Sequence, residues 1–242
     1  MRRDGQTVIG CGGMTGPLLI LDDLHFSWPG EARAVLSGLS LTVAPGERVF
    51  LAGASGSGKS TLLGLIGGLI TPQQGRIRLA GVELHRLRQP QRDRLRADRI
   101  GVIFQQFNLL PWLSALANVR LGCQFSSRRR RRAGDPEHAA RELLEAMGLD
   151  RDQHDRQASR LSVGQQQRVA AGRALIGQPD LVLADEPTSA LDADHRDRFI
   201  ELLFAQLKHS GSALLFVSHD RSLACHFDRC VELDSLHRGA AS

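Results

Sequence analysis

The chain alternates between short apolar runs of strand length and longer stretches in which apolar residues recur at helical spacing. Turn residues such as Pro45 and Gly46 interrupt or bound these segments. The short runs predict strands within residues 18–28, 39–53, 75–81, 100–105, 181–186 and 213–220. The helical spacing predicts helices within residues 60–70, 111–121, 137–149, 164–177 and 192–210.

The order of these elements predicts an α/β fold. Strands that alternate with helices form a mainly parallel sheet with helices on its faces. Residues 106–177 depart from this alternation because only helices are predicted there, which indicates a helical insertion. We expect a single domain over residues 17–235, with a disordered or flexible tail at 1–16 and a short C-terminal tail at 236–242.

The composition is that of an ordinary globular protein, with 42% apolar and 24% charged residues in a chain of 242. The net charge of +5 favours anionic partners, which include nucleotides, nucleic acid and phospholipid surfaces. No apolar stretch approaches the roughly 20 residues that span a bilayer. If a membrane is involved, another chain must therefore supply the spanning segments.

The N-terminus and the cysteines favour an intracellular protein. Residues 8–11 look like a lipoprotein cleavage box, but polar residues stand where a secretory signal needs an apolar segment, so a disordered tail is preferred. The cysteines show no C-x-x-C pair and no companion histidines at zinc spacing. These cysteines, expected to be reduced thiols, are Cys11, Cys123, Cys225 and Cys230.

A glycine-rich phosphate loop is predicted between a strand and a helix. It comprises Gly53, Ala54, Ser55, Gly56, Ser57, Gly58, Lys59, Ser60 and Thr61. Backbone N–H groups of such a loop, together with the N-terminus of the following helix, surround nucleotide phosphates. Lys59 is expected to reach the β- and γ-phosphates, and the Ser60 hydroxyl to bind Mg²⁺. Lys59 and Lys208 are the only lysines in the chain, and a compact ammonium fits between phosphate oxygens better than a planar guanidinium does.

Two carboxylates follow the apolar run at residues 181–184. Asp185 and Glu186 are expected at the C-terminal end of a buried strand, the edge at which open α/β sheets bind ligands. Asp185 can hold Mg²⁺, as the corresponding aspartate does in P-loop NTPases. Glu186 is placed to polarise an attacking water.

Further motifs occur in the order typical of one family. They are Trp28 in FSWPG, Gln105 in IGVIFQQF, Leu161-Ser162-Val163-Gly164-Gln165, Ser189-Ala190-Leu191-Asp192, and His219 in VSHD. With these motifs, nearly the whole chain resembles the ATP-binding subunit of an ABC transporter. Residues 104–121, and a chain that ends soon after His219, resemble the macrolide-exporter and lipoprotein-releasing branch. The resemblance implies a P-loop NTPase with a RecA-like, mainly parallel core, an antiparallel β subdomain and an inserted α-helical subdomain.

The resemblance implies a role for each motif. Trp28 stacks on adenine, Gln105 contacts metal and water, and His219 bonds the γ-phosphate and holds Glu186 in place. Residues 161–165 are the family signature, which faces the ATP of the partner subunit, and residues 189–192 are the D-loop. Val163 departs from the common signature, which has glycine there. Because valine disfavours a positive φ, we expect activity that is preserved or reduced.

The resemblance also implies partners. A homodimer would enclose two ATP molecules with Mg²⁺ and drive separate integral-membrane permease subunits, with a periplasmic or extracytoplasmic adaptor as an optional addition. The subunit would be cytoplasmic and peripheral on the inner face of the cell membrane. The alternative is a soluble ABC-type ATPase that acts in DNA repair or cluster assembly. DNA-acting relatives generally carry coiled-coil or zinc-bearing insertions, which this sequence lacks, so no specific nucleic acid is expected.

A run of arginines, Arg128 to Arg132, lies within the predicted helical insertion. The preferred interpretation is a solvated, charged loop. Contact with anionic lipid headgroups is the alternative.

Overall fold

The computed structural model describes residues 16–30, 34–54 and 56–236. Apart from Gly16 and Leu236, the predicted tails lie outside these ranges, and so do residues 8–11 with Cys11. The predicted domain limits and the interpretation of residues 8–11 therefore stay predictions.

The strands of the described residues form two sheets. They are β1 (Leu19–Phe26), β2 (Leu36–Val43), β3 (Arg48–Ala52), β4 (Gln74–Leu79), β5 (Val82–Glu83), β6 (Ile100–Ile103), β7 (Leu181–Asp185), β8 (Ala213–Ser218) and β9 (Arg229–Glu232). One sheet is antiparallel, in the order β2-β1-β4-β5, and the other is parallel, in the order β6-β7-β8-β3-β9. The parallel sheet brings the C-terminal ends of β3, β7 and β8 to one edge, where the predicted site residues follow.

The helices of the described residues surround the parallel sheet or form the insertion. They are α1 (Lys59–Ile66), α2 (Gln89–Arg99), α3 (Ala115–Gln124), α4 (Ser127–Ala133), α5 (Pro136–Ala146), α6 (Arg151–His154), α7 (Val163–Leu175) and α8 (Ala193–Ser210). Helices α3 to α7 lie between β6 and β7 in the chain. The predicted fold class, with its parallel core, antiparallel subdomain and helical insertion, is confirmed.

Both faces of the parallel sheet are buried. Along β3, Val49 and Leu51 belong to the cluster that also contains α1 and the antiparallel sheet, whereas Phe50 and Ala52 belong to the cluster with the helical insertion and α8. Burial on both faces explains why strands β7 and β8 are continuous apolar runs rather than alternating ones.

The prediction of a solvated loop at Arg128 to Arg132 is wrong. These residues form most of α4, which we call the arginine helix, and Ser126 caps its N-terminus by accepting a hydrogen bond from the N–H of Arg129 at 3.0 Å. Arg130 and Arg131 are exposed, but Arg129 is only 4% exposed. One arginine of the run is therefore part of the protein interior.

The guanidinium of Arg129 binds the end of α7. Its Nε donates to the carbonyl oxygen of Ile176 at 2.8 Å, and its Nη2 donates to those of Ala174 at 2.6 Å and Arg173 at 3.2 Å. The last carbonyls of a helix lack partners within the helix, and a cation there interacts favourably with the helix dipole. Arg129 thus caps the C-terminus of α7.

A second contact of the arginine helix centres on Asp180, just before β7. Arg128 approaches the Asp180 carboxylate at 3.0 Å and Arg132 at 3.1 Å, and Arg99 of α2 approaches it at 2.7 Å. Burial alone would raise the pKa of Asp180, but Arg99 and Arg128 more than offset it, and the pKa is lowered. The arginine helix therefore fastens the helical insertion to the core.

Candidate nucleotide site

The phosphate loop connects β3 to α1 through glycines in the left-handed region. Gly56 has φ +80°, and Gly58, the N-cap of α1, has φ +95°. A Cβ atom on Gly58 would lie 2.8 Å from Val35, and one on Gly53 would lie 2.7 Å from the Ser57 hydroxyl. Glycine is required at these positions because any other side chain would be strained or would clash.

Lys59 begins α1 and is buried, with 7% exposure, although it borders an open cleft. Its Nζ donates to the carbonyl oxygens of Gly53 and Ala54, both at 2.8 Å, and lies 3.5 Å from Glu186 Oε1. Charge-assisted bonds to phosphate are stronger than bonds to neutral carbonyls. The ammonium is therefore in place to exchange these partners for phosphate oxygens.

Ser60 and Asp185 are brought together by α1 and β7. The Ser60 hydroxyl donates to Asp185 Oδ2 at 3.0 Å. Burial raises the pKa of Asp185, and neighbouring Glu186 raises it further, while Ser60 and Lys59 act in the opposite direction. A partly buried carboxylate beside a hydroxyl is a donor set of hard oxygen atoms, which suits Mg²⁺. A divalent cation would also offset the repulsion between the two carboxylates, so these residues fit the predicted metal.

Glu186 and His219 follow adjacent parallel strands, β7 and β8. Glu186 has φ +43°, and its N–H donates to the carbonyl oxygen of Val217 at 2.9 Å. A non-glycine residue in this region stores about 1–3 kcal/mol of strain. The Glu186 Oε2 lies 3.0 Å from His219 Nδ1, so the histidine side chain orients the carboxylate.

An open cleft of about 460 Å³ joins the phosphate loop to Asp185 and Glu186, and Trp28, Val35 and Gln105 also line it. Trp28 is 41% exposed, and its ring stands edge-on to Phe26 with centroids 5.0 Å apart. It is therefore not a buried core residue. The cleft thus contains an aromatic ring, a phosphate loop and carboxylates within one volume.

The remaining residues of the predicted loop differ in their surroundings. Thr61 lines the cleft, whereas the Ser57 hydroxyl is enclosed and has no hydrogen-bond partner among the described residues. Ser55 lies outside the described residues, so its predicted contact with phosphate stays a prediction.

The signature at residues 161–165 lies at the start of α7. Ser162 and Gln165 form a capping box, in which the Ser162 N–H donates to Gln165 Oε1 at 2.9 Å and the Gln165 N–H donates to the Ser162 hydroxyl at 3.3 Å. Val163 is the first helical residue, has no positive φ and is 49% exposed. The backbone strain expected there is therefore absent. None of the signature residues, which include Leu161 and Gly164, is among the described residues that line the cleft.

The D-loop, residues 189–192, begins three residues after Glu186. The Ser189 N–H donates to the Glu186 carbonyl at 3.2 Å. Ser189 and Ala190 are exposed and Leu191 is half-buried. Asp192 caps α8 by accepting the His195 N–H at 2.9 Å. The D-loop thus presents a surface beside the turn at Glu186 and does not line the cleft of its own subunit.

One residue that lines the cleft and one that holds a neighbouring segment were not predicted. Val35 lines the cleft beside Gly58. Arg173 of α7 donates to the carbonyl oxygens of Phe107 and Asn108, both at 2.5 Å, and so ties the segment after Gln105 to α7. These carbonyls lie 65 and 66 residues earlier in the chain, so no local pattern could mark Arg173.

Comparison with known proteins identifies the family. A family model described as ABC transporter matches residues 36–189. The chain belongs to the ABC transporter family. The lipoprotein-releasing system ATP-binding protein LolD of Pseudomonas syringae pv. tomato is 46% identical over 208 residues, which cover 84% of this chain and 88% of LolD. The macrolide export ATP-binding/permease protein MacB of Rhodopseudomonas palustris is 42% identical over 227 residues, 91% of this chain but 33% of MacB.

A solved structure supports the same assignment. The dimeric post-hydrolysis state of the ATP-binding cassette MJ0796 bound to ADP and Pi matches this ABC subunit with a TM-score of 0.76 and 34% identity, covering 88% of this chain and 93% of that one. The predicted ABC ATPase fold and ATP-hydrolysing transporter subunit are confirmed, as is the similarity to the macrolide and lipoprotein-release branch. The alternative of a soluble ATPase outside transport finds no support among these relatives.

Proposed function

We propose that this ABC subunit binds ATP with Mg²⁺ in the cleft described above, closes as a homodimer around two ATP molecules and drives separate membrane permease subunits. One observation carries the proposal. At the phosphate loop, Glu186 lies between Lys59 and His219, at 3.5 Å and 3.0 Å. This arrangement places a phosphate-binding cation, a base and the group that orients the base at one point.

ATP binding rests on two kinds of group that line the cleft. The loop and the N-terminus of α1 offer N–H groups and a positive dipole end to the phosphates, while Lys59 supplies the charge. Trp28 offers an accessible aromatic ring for the adenine.

Mg²⁺ would be held by the Ser60 hydroxyl and Asp185, with the Gln105 amide close by on the same cleft. When bound, the ion would neutralise charge on the phosphate oxygens. The protein itself supplies two oxygen ligands, from Ser60 and Asp185, that are already in contact. A second carboxylate, that of Glu186, stays available for proton transfer.

That second carboxylate, Glu186, would act as the general base. When phosphate oxygens bind the Lys59 ammonium, the Glu186 carboxylate loses this partner. The carboxylate can then accept a proton from an attacking water. His219 holds the carboxylate from the other side and would donate toward the γ-phosphate from its exposed position. The backbone of Glu186, with its positive φ, would hold the carboxylate between Lys59 and His219.

The homodimer follows from what the cleft lacks. The signature lies at the exposed N-terminus of α7 and lines no part of the cleft in the described residues. A second copy would bring its α7 N-terminus, with a positive dipole end, to the γ-phosphate. The dimeric state of MJ0796 supports this arrangement.

Membrane partners are supported by two exposed aromatic side chains, one of which directly precedes Gln105 in the chain. Phe104 is 38% and Trp112 66% exposed, and exposed apolar groups of this size favour protein contacts. Within the described residues, no helix combines the length and hydrophobicity that a membrane crossing requires. We infer a location on the cytoplasmic side through permease subunits, and an adaptor outside the cytoplasm remains part of the proposal.

The test is Glu186→Gln. The amide keeps the size of the side chain but cannot accept the water's proton, and the lost negative charge eases closure of two ATP-loaded subunits. We expect ATP hydrolysis to fall at least about 100-fold and the variant to elute as a dimer with ATP and as a monomer with ADP in size-exclusion chromatography.

Glu201→Gln is the matched control, because Glu201 is exposed on α8, and it should behave as wild type in both measurements. Wild-type turnover in Glu186→Gln would exclude Glu186 as the base. A Glu186→Gln variant that hydrolyses slowly but stays monomeric with ATP would count against the nucleotide sandwich.

A further inference from the structure

One glutamine of α7 is fully enclosed and only half satisfied. The side chain of Gln167 has 0% exposure. Its Nε2 donates to the carbonyl oxygen of Pro187 at 2.6 Å, whereas its Oε1 has no hydrogen-bond partner among the described residues. A buried acceptor without a partner is destabilising, and an apolar side chain of the same size would avoid that cost. Among the described residues, the bond to Pro187 is therefore the one hydrogen bond that the buried amide makes.

The partner of Gln167 belongs to the turn that aims the base. Pro187 directly follows Glu186, whose φ of +43° is held by a bond from its N–H to Val217 and by a bond to its carbonyl from the Ser189 N–H. A non-glycine residue keeps such a conformation only where its surroundings hold it. The Gln167 amide donates to the carbonyl oxygen of Pro187, the next residue of the same turn.

The helix that carries Gln167 begins at the signature. The capping box of Ser162 and Gln165 fixes the start of α7, and Arg129 fixes its end. A helix held at both ends moves as a rigid element, so a displacement at the signature also displaces Gln167. Gln167 lies two residues after Gln165, the last signature residue, in α7, and its side chain donates directly to the turn of Glu186.

We propose that Gln167 is a positioning residue that ties the turn of Glu186 to the signature helix of the same subunit. The inference rests on the proposed nucleotide sandwich, in which that signature holds the partner's ATP while Glu186 faces its own. Each subunit would then set its base according to the nucleotide bound on the other side. The two ATP sites of the dimer are coupled through this hydrogen bond.

Mixed dimers test which site Gln167 serves. Two differently tagged copies are co-expressed, one with Glu186→Gln and one that keeps Glu186, and the mixed dimer is isolated through both tags. Single-turnover ATP cleavage, measured by acid quench, then reports only the subunit that keeps Glu186. Gln167→Met in that subunit should slow cleavage about tenfold, the value of one lost hydrogen bond. Gln167→Met in the other subunit should change it less than about twofold.

A merely structural role predicts the opposite pattern. The signature of the Glu186→Gln subunit closes the active site of its partner, so damage to α7 there would slow cleavage in the partner. Slower cleavage when Gln167→Met is in the Glu186→Gln subunit, or no change in cleavage with Gln167→Met in either subunit, overturns the proposal. Gln166→Met is the matched control, because the Gln166 Nε2 donates to Leu161 at 3.0 Å and not to the catalytic turn. It should leave cleavage in its own subunit unchanged.

Folding and dimer formation are checked separately. Gln167→Leu removes the same bond and is measured in parallel, with thermal melts of both variants. Loss of folding in both would overturn the proposal, because the residue would then serve the fold. If the mixed dimer with unmodified Gln167 does not form with ATP, the proposed function itself is contradicted. This failure is detected before any Gln167 variant is measured.

Discussion

Lys59 and Arg129 are both buried cations whose hydrogen-bond acceptors are backbone carbonyl oxygens. Lys59 is 7% and Arg129 4% exposed. The ammonium of Lys59 binds two carbonyls of the phosphate loop, and the guanidinium of Arg129 binds carbonyls at the end of α7. The two regions therefore solve the same problem, the burial of a positive charge, with the same kind of partner.

The difference lies in whether the partners can be exchanged. Lys59 lines an open cleft and lies 3.5 Å from Glu186, so phosphate oxygens can reach it. Arg129 is enclosed, has no carboxylate partner among the described residues, and its pKa is lowered by burial to about 10. It stays charged at neutral pH as the permanent cap of a helix. A buried cation thus indicates a ligand site only where a cleft gives access to it.

The strongest way to break this comparison is Lys59→Ala. Removal of the ammonium should weaken ATP binding about 100-fold or more, because a charged hydrogen-bond donor to phosphate is lost, while the fold survives because no core contact depends on it. Calorimetric titration with ATP and a thermal melt measure the two effects. Lys208→Ala, which removes the only other lysine of the chain, is the control and should bind as wild type. Unchanged ATP binding by Lys59→Ala would remove the phosphate-loop assignment.

Arg129→Met sharpens the other half of the comparison. The substitution keeps an unbranched side chain but leaves carbonyls at the end of α7 without their cation, and it should lower the free energy of unfolding by about 2–4 kcal/mol. ATP affinity of the folded protein should stay within about threefold of wild type, because the cap lies outside the cleft. Urea unfolding and ATP titration give the two values.

The arginine helix provides its own control for that experiment. Arg131 is exposed in the same helix and makes no ion pair among the described residues. Arg131→Met should therefore change stability by less than about 0.5 kcal/mol. Equal stabilities of the two variants would contradict the role of Arg129 as a cap, and a loss of ATP binding in Arg129→Met as large as in Lys59→Ala would erase the distinction between the regions.

The phosphate loop was predictable because its determinants are adjacent in the chain. Glycines at Gly53, Gly56 and Gly58 precede Lys59 at fixed intervals, and a strand and a helix flank them. Asp185 and Glu186 are equally local, since both lie at the end of one apolar strand. Only their mutual placement needs the fold, and the parallel sheet provides it through the shared edge of β3 and β7.

The arginine helix was not predictable because its determinants are distant. The carbonyls that bind Arg129 lie 44 to 47 residues later in the chain, so the sequence of the run alone predicts a solvated segment. Helix α2 was missed for another reason: none of its residues is buried, and no apolar period marks it. Strand β9, with the sequence RCVE, is defined only by its pairing with β3.

The smallest expected effect concerns the aromatic side chain that lines the cleft with the lysine. Trp28→Ala should weaken ATP binding by ~1–3 kcal/mol, the range for stacking of an aromatic side chain on a base, without loss of the fold, because the ring is 41% exposed. The contact with Phe26 at 5.0 Å contributes to packing only, so a thermal melt should show a minor change.

In a Trp112→Phe background, Trp28 is the only tryptophan, and its fluorescence should respond to ATP. A response to ATP that persists with ADP would place the effect at the base rather than at the γ-phosphate. Unchanged affinity together with unchanged fluorescence would leave Trp28 as a packing residue against Phe26 of β1, and the cleft would then bind its nucleotide through the phosphates alone.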